Sequence, residues 1–557
     1  MVRKIFNFIS KEIGGLHEAA YLLGLFAFLS QILALIRDRL FAHAFGASQT
    51  LDTYYAAFRL PDLIFVSIAS IVSLSVLIPF LMERLDRGEK EAKEFIDSIF
   101  SAFFFIIGIT AVIAYIAAPY ILRVLFPTFS ANFPELVLMT RIMLLSPIFL
   151  GFSNFLASIT QIYKRYFIYA LSPIVYNLGI IIGVLVFYPL VGMSGLAWGV
   201  ALGAILHFLI QVPFVATKSL FPRLRLAFSF NSVRQVIMTS LPRTLTLSST
   251  ELSKFFLIAF AALLAGGAIS IFNFAWNLQS VPLSIIGVSY SLAAFPVLTR
   301  LFSSGETSKF VEQMTVSSKH ILFWSVPIMT LFIVLRAQIV RVILGTGEFS
   351  WSDTRLTAAA LALFTISLIP QSFVMLFVRA YYSRGETKKP LIMNLVSSIL
   401  IIIFSYGLVI LFKSSEYLRF FIESLLRVED VPGTIMLMLP LGFSLGVFIN
   451  GIIHWIAFER DFRGYSLPVL RSLYHFFSAS VMMGYVTYMM LSVGERFFDI
   501  DTFIGIFMQG FIAGIVGIFV FVGVLILMRN QELVDITATL KKKIWKTTVI
   551  PPDPSST

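Results

Sequence analysis

Three consecutive charges, Arg37-Asp38-Arg39, stand inside an otherwise apolar run that begins near residue 19. A charge at membrane depth is expensive, and it faces an aqueous cavity or another charge. Arg37 therefore reads either as a cation lining a cavity, where it would meet an anionic ligand, or as half of an ion pair to a neighbouring helix. At about 1.5 Å of rise per residue it lies well past the middle of the run, towards the outer leaflet. Asp52 ends the following turn, where its carboxylate could cap the free N–H groups of the next helix. Arg59, Pro61 and Asp62 lie just inside that helix, and the proline marks a kink or a first regular turn. Glu251 and Lys254 are three apart and share a helix face. They read as a mutually neutralising pair or, more sharply, as a site for ion or proton coupling. Asn273, Asn277 and Gln279 are polar without charge, suited to donate to a phosphate or to join helices.

Other chemistry is excluded. The chain has no cysteine, so it has no disulfide, thiolate nucleophile or Cys-based metal site. Its six histidines form no H-x-x-x-H pair, and without a Gly-Lys dipeptide there is no phosphate loop and no internal ATP motor. Gly442-Phe443-Ser444-Leu445-Gly446 fits the G-x-S-x-G pattern of a nucleophile elbow, but it falls inside an expected membrane helix without the required strand. Gly195, Gly199 and Gly203, at every fourth position, read as a helix-packing seam. No catalytic residue, metal site or cofactor is expected; the chain reads as a transporter rather than an enzyme.

The elements that must position these residues are membrane helices. Of 557 residues 58% are apolar and 13% charged, about half the charge a soluble protein carries. A span needs about 20 apolar residues. On that basis spans are expected at 19–45, 60–83, 96–126, 135–161, 167–188, 194–216, 237–264, 268–299, 317–345, 354–383, 390–412, 433–458, 467–493 and 501–528. The fold class is thus all-α and polytopic, with about fourteen spans. No removable leader is evident, and the first span is expected to stay as an anchor. The net charge of +12 resides in short connectors, which argues against nucleic acid as a partner. Alternate connectors are rich in Lys and Arg, while those at 46–52, 127–134, 189–193 and 265–267 have none. By the positive-inside rule both termini are cytoplasmic.

An internal repeat runs through the same spans. ILRVLF at 121–126 recurs as IVRVIL at 339–344, Thr140-Arg141 as Thr354-Arg355, Pro79 as Pro296, and Asn177 as Asn394, with offsets of 218, 214, 217 and 217. A shift of six spans keeps the orientation, so the repeat is parallel, and two-lobed transporters of this kind hold substrate between lobes that rock. The expected organisation is an N-lobe at 1–217, a C-lobe at 232–460, two added spans at 466–530 and a basic tail at 531–557. The connector at 413–432 is long and charge-balanced. Its stretch EYLRFFIESLLRVED has the periodicity of a short amphipathic interfacial helix, and a contact for a partner is the other reading.

The stretch IRDRLFAHAFGASQTLDTYYAAFRLPDL at 36–63 resembles the signature after the first helix of the MurJ (MviN) family of lipid II flippases, in the multidrug/oligosaccharidyl-lipid/polysaccharide exporter superfamily. QIYKRYFIYALSPIVYNLG at 161–179, VPLSIIGVSYSLAAFPVL at 281–298, ILGTGEFSWSDTR at 343–355 and RAYYSRGETKKP at 379–390 are similar to further family segments. The resemblance covers nearly the whole chain. It implies a V-shaped fourteen-helix fold with a cationic central cavity, in the bacterial inner membrane. It also implies alternating access that carries an undecaprenyl-pyrophosphate-linked disaccharide-pentapeptide from the inner to the outer leaflet, with the lipid tail in a groove by the last two helices. Membrane lipids and cell-wall synthesis enzymes are the implied partners, and a sodium gradient or the membrane potential the implied drive.

Carried over residue by residue, Arg37, Asp38 and Asp52 match the family's Arg-Asp pair and acidic turn residue, and Asn177 matches an asparagine at the cavity. The family's other cavity arginines fall on Gln31, Phe65 and Asn277, and its sodium-site aspartate on Leu257. Gln31 and Asn277 thus remain as polar cavity candidates, and Arg59, Lys254 and Arg243 as cations that could substitute. These departures keep three alternatives open: a flippase for another polyprenyl-pyrophosphate-linked oligosaccharide, a cation-coupled drug exporter with an acidic cavity, and a non-transporting partner of cell-wall enzymes.

Overall fold

The computed structural model describes residues 16–69, 74–226, 229–534 and 537; the expected basic tail lies almost wholly outside them. Among the described residues every regular element is a helix. In chain order α1 is Leu16–Phe45, α2 Gln49–Ala57, α3 Arg59–Ile64, α4 Leu74–Arg87, α5 Glu89–Leu125, α6 Phe133–Met143, α7 Leu145–Ile162 and α8 Tyr166–Ile182. There follow α9 Tyr188–Val191, α10 Met193–Leu209, α11 Val212–Ala216, α12 Phe230–Ala262, α13 Ala268–Leu283, α14 Ser289–Ser303, α15 Thr307–Val334 and α16 Arg336–Leu344. The rest are α17 Trp351–Thr365, α18 Leu368–Ser383, α19 Lys388–Ser414, α20 Glu416–Leu426, α21 Met438–Asp461, α22 Ser466–Gly494 and α23 Phe503–Leu527.

Among the described residues eleven helical stretches are long and apolar enough to cross a bilayer, or twelve if the pair α17–α18, bent by 41°, is one span. The expected count of fourteen is not confirmed by that number, because the two further expected spans, 19–45 and 60–83, both include side chains that lie outside the described ones. Outward faces remain apolar: Ile109, Ile113, Ile116 and Tyr120 of α5 are all strongly exposed. In water such a face would drive association, whereas lipid solvates it. The chain is a multi-pass membrane protein.

Helix interruptions recur at the repeat spacing. π segments occupy Phe65–Ala69 and Ser284–Val288, whose starts are 219 positions apart. A break at Leu144 separates α6 from α7, and one at Ile366–Ser367 separates α17 from α18. The glycine seam is real. A Cβ on Gly179 would stand 2.3 Å from Gly203 Cα, and one on Gly199 2.4 Å from Gly183 Cα, so α8 and α10 meet backbone to backbone. Gly442 and Gly446 serve the same end against Ser405 and Ile401, and Ser444 Oγ donates to Leu363 O. The elbow-like pattern is helix packing.

The chain divides into two compact units. One comprises Met1–Val281, Ile339–Ser367 and Gly385–His454; the other comprises Pro282–Gln338, Leu368–Arg384 and Trp455–Thr557. These bounds differ from those of the expected lobes. Three of the cuts fall where the backbone is already interrupted: beside Pro282 and its π segment, at Ile366–Ser367, and at the Gly385 turn. The first unit has a core with Phe95, Phe103, Phe152 and Phe155 at its centre. In the second, Phe310, Phe377, Phe458, Tyr465 and Phe476 play that part.

Candidate substrate site

Successive residues on a helix point about 100° apart, so Arg37, Asp38 and Arg39 leave α1 in three directions. Arg37 donates from Nε and Nη2 to Asp38 Oδ1, at 3.0 and 2.8 Å, and from Nη1 to Asn177 Oδ1 of α8 at 3.1 Å. Asn177 is itself held, its amide donating to Pro173 O and Ser30 Oγ. On the other side of Asp38, Oδ2 accepts from Asn277 Nδ2 of α13 at 2.9 Å. The Asp38 side chain is 3% exposed and that of Arg37 19%. The carboxylate is therefore committed to protein, and of the two side chains that of Arg37 is the more accessible. Arg39 is occupied elsewhere. Its Nη1 donates to Val342 O and Ile343 O in the last turn of α16, where a cation meets the negative end of the helix dipole.

A second group of charges comes from α3 and α12. Arg59 is 5% exposed, donates from Nε to Tyr55 O at 3.1 Å, and has Asp62 at 3.6 Å. Among the described residues no close ion pair joins Lys254 to Glu251, and Lys254 Nζ lies 5.0 Å from the centre of the Trp276 ring, a cation–π arrangement. Tyr55, packed edge-on against Phe274, is buried with its hydroxyl unpartnered among the described residues. Tyr55 and Trp276 carry no sequence signal, because aromatic residues fill every span.

Asp52 does not cap its own helix. Ser48 does that, accepting from Leu51 N. The Asp52 carboxylate instead accepts from Gly267 N at 2.7 Å, from Ser270 N at 2.7 Å and from Ser270 Oγ at 2.6 Å, at the start of α13. A carboxylate at a helix N-terminus satisfies free N–H groups and the dipole together. With both oxygens so engaged, Asp52 is a joint between the repeats rather than a cavity ligand.

Further joints lie beside it. Glu348 N donates to His43 O, and Thr128 Oγ1 donates to Ala262 O. Gly46, Gly267 and Gly347 have φ of +58°, +86° and +59°, and a Cβ on each would stand 2.2 to 2.5 Å from a backbone oxygen of Glu348, Ala47 or His43. Only glycine permits both that conformation and that approach.

The remaining candidates disperse. Gln31 is half-buried on α1. Asn273 donates to Ile269 O in its own helix rather than towards Arg37. Gln279 is buried, with neither amide atom partnered among the described residues. The Arg243 side chain lies outside them. The sodium-site position, Leu257, is wholly buried and brings no oxygen. One turn away Ser253 Oγ donates to Ser398 O, and Ser398 Oγ donates to Ser249 O. Among the described residues no three His, Asp, Glu or Cys side chains gather as metal ligands.

The family model described as "Lipid II flippase MurJ" matches residues 41–508. The "Probable lipid II flippase MurJ" of Buchnera aphidicola subsp. Schizaphis graminum is 25% identical over 525 residues, covering 92% of this chain and 97% of the relative. The "Lipid II flippase MurJ" of Burkholderia cenocepacia is 24% identical over 463 residues, covering 79% and 90%. A solved structure described as "Lipid II flippase MurJ, inward closed conformation" has a TM-score of 0.71 at 21% identity, covering 91% of this chain and 100% of that one. An inward-facing multidrug resistance transporter of the MATE family, in the MOP superfamily, has a TM-score of 0.64 at 15% identity, covering 78% and 95%.

Proposed function

The chain belongs to the MurJ family of lipid II flippases, and on that premise we propose that it carries lipid II from the inner to the outer leaflet of the bacterial inner membrane by alternating access. It is a transporter, not an enzyme. The observation that carries the reading is Arg37, a cation inside an apolar helix. Asp38 and Asn177 orient it, while part of its side chain stays accessible. A planar guanidinium matches two phosphate oxygens at once, and its pre-set orientation lowers the ordering cost of binding. Arg59 and Lys254 are the further cations of the first unit that a diphosphate could draw on. Asn277, where the family resemblance implies an arginine, spends its amide on Asp38 and so supports Arg37 indirectly. The mixed Arg37–Asp38 centre speaks against an exporter of cationic drugs, which calls for an acidic site.

Alternating access requires joints that form and break. Asp52–Ser270, Arg39 on the end of α16, and the close glycine turns are suited to this, being short-range contacts between the repeats. The loop charges orient both termini to the cytoplasm, which would place these joints at the outer face. The apolar exposed sides of α22 and α23, including Tyr485, Phe511 and Phe519, suit a polyprenyl tail. The membrane potential is the proposed drive, since each negative charge moved outward across a cytoplasm-negative bilayer gains about 2.3 kcal/mol per 100 mV. The enzymes of cell-wall synthesis are the proposed partners.

Complementation tests this reading. Cells depleted of their own lipid II flippase should grow and keep their shape when this chain is expressed. Lysis despite confirmed membrane insertion would count decisively against lipid II as the cargo.

A further inference from the structure

Helix α20 carries three distinct stripes. Leu418, Ile422 and Leu426, spaced by four, face the protein; Ile422 and Leu426 are buried and Leu418 half-buried. Glu416, Arg419 and Glu423 form a charged stripe. Within it Arg419 Nε donates to Glu423 Oε1 at 3.0 Å, and Thr434 Oγ1 donates to the same oxygen at 2.5 Å. Tyr417, Phe420, Phe421 and Leu425 form the third, with exposures of 91%, 69%, 60% and 60%. A helix that served only to link α19 to α21 would need the first two stripes and not the third.

The direction of the third stripe is fixed. Ser415 caps the helix, its Oγ accepting from Leu418 N at 3.3 Å, and Arg427 closes it in the left-handed conformation at φ 61°. Arg355 of α17 donates to Arg427 O and pairs with Asp430 at 2.7 Å. The N-terminal end follows α19 directly and the C-terminal end is tied to α17, so the stripe cannot turn inward without breaking the Arg355 bonds.

What meets it is indicated by its neighbours. On the last turns of α19, a spanning helix, Tyr406, Ile410 and Leu411 are about half exposed and face lipid. The chain breaks at Ser415 and the aromatic stripe starts two residues later, so the apolar surface of the span runs on into α20. At 11 residues the helix is far too short to cross a bilayer. Its narrow apolar side, charged flank and aromatic content are those of a helix lying in the membrane–water interface. Tyr and Phe suit that depth, where one side of a ring is apolar and the other wet.

We propose that α20 lies in the interface of the leaflet its connector faces. Tyr417, Phe420, Phe421 and Leu425 would enter the acyl boundary, with Arg419 and Lys413 among the headgroups. The partner is the lipid surface itself. Such a helix would hold the end of the second repeat at constant depth while the repeat moves.

The absence of native cysteine makes the test direct. Single variants Tyr417→Cys, Phe421→Cys and Leu425→Cys, with Glu416→Cys as reference, are spin-labelled in the full chain. They are then reconstituted into vesicles of phosphatidylethanolamine and phosphatidylglycerol. Collision rates with oxygen, which partitions into lipid, are compared with those of a water-soluble nickel chelate. The expected ratio of oxygen to nickel accessibility is at least about threefold higher at 421 and 425 than at 416. Nickel-dominated collisions at 421 and 425 would place the stripe in water and overturn the proposal. Low accessibility to both reagents would show cover by protein, such as a second copy, and overturn it equally. Tyr417→Cys guards against a folding artefact, because its side chain is almost wholly exposed and makes no buried contact to lose.

Discussion

Asp52 accepts two hydrogen bonds from Ser270, a residue 218 positions further along the chain. That separation is the spacing of the internal repeat to within a residue or so, so the two stand at equivalent points of the two repeats and meet there. The helix start of the second repeat is capped by the helix start of the first. Asp52→Ala should leave Gly267 N, Ser270 N and Ser270 Oγ without their charged acceptor, at a cost of about 2–4 kcal/mol. Thermal unfolding of the purified chain should show it, with Asp52→Asn intermediate because it keeps an acceptor.

The Arg37 centre makes a different prediction. Asp38→Asn keeps shape and size but removes the charge that orients the guanidinium. A charge-assisted hydrogen bond contributes about 1.5–3 kcal/mol, so transport of lipid II should fall about tenfold or more while the chain still inserts. Asn277→Ala, which loosens only one side of Asp38, should fall less. Initial rates of lipid II movement in membranes carrying equal amounts of each variant check both.

Close backbone contacts predict where a methyl group is tolerated. Gly203→Ala would set its Cβ 2.5 Å from Tyr176 O, whereas Gly108 has nothing within 4 Å. Gly203→Ala should therefore destabilise by about 1–3 kcal/mol. Gly108→Ala, inside α5, should be neutral or stabilising by up to about 1 kcal/mol. Paired melting curves in one detergent distinguish the two.

Acid should loosen the connector after α20. The Arg355 guanidinium, hydrogen-bonded to Asp430, holds that carboxyl below its ordinary value of 3.8. Because the folded value is lowered, the tie contributes fully above the ordinary value and is lost as pH falls through the lower one. A spin label at Glu429 should keep constant mobility from neutral pH down to about 4 and gain mobility below it. In Arg355→Ala it should be mobile throughout.

Membrane helices and the repeat are legible in the sequence because apolar runs and shared offsets are local signals. Arg37 and Asp38 stand out for the same reason, as charges in a setting that excludes them. The role of Asp52 is not legible there. A carboxylate before a helix reads as its cap, and the helix start that claims this one lies a whole repeat away. Helix spacing alone pairs Lys254 with Glu251, whereas the structure sets it against Trp276, a partner that spacing cannot reveal. Breaks within a span, as at Ile366–Ser367, leave no mark in the hydropathy.

Whether Arg37 engages the cargo of a lipid II flippase is decided by purified chain in vesicles carrying lipid II in one leaflet. Its appearance in the other leaflet is followed over time. Wild-type chain should move lipid II faster than protein-free vesicles do, and Arg37→Ala should slow that movement at least about tenfold. Movement by wild type no faster than in protein-free vesicles would remove lipid II as the cargo, and an Arg37→Ala rate equal to wild type would remove Arg37 as its ligand.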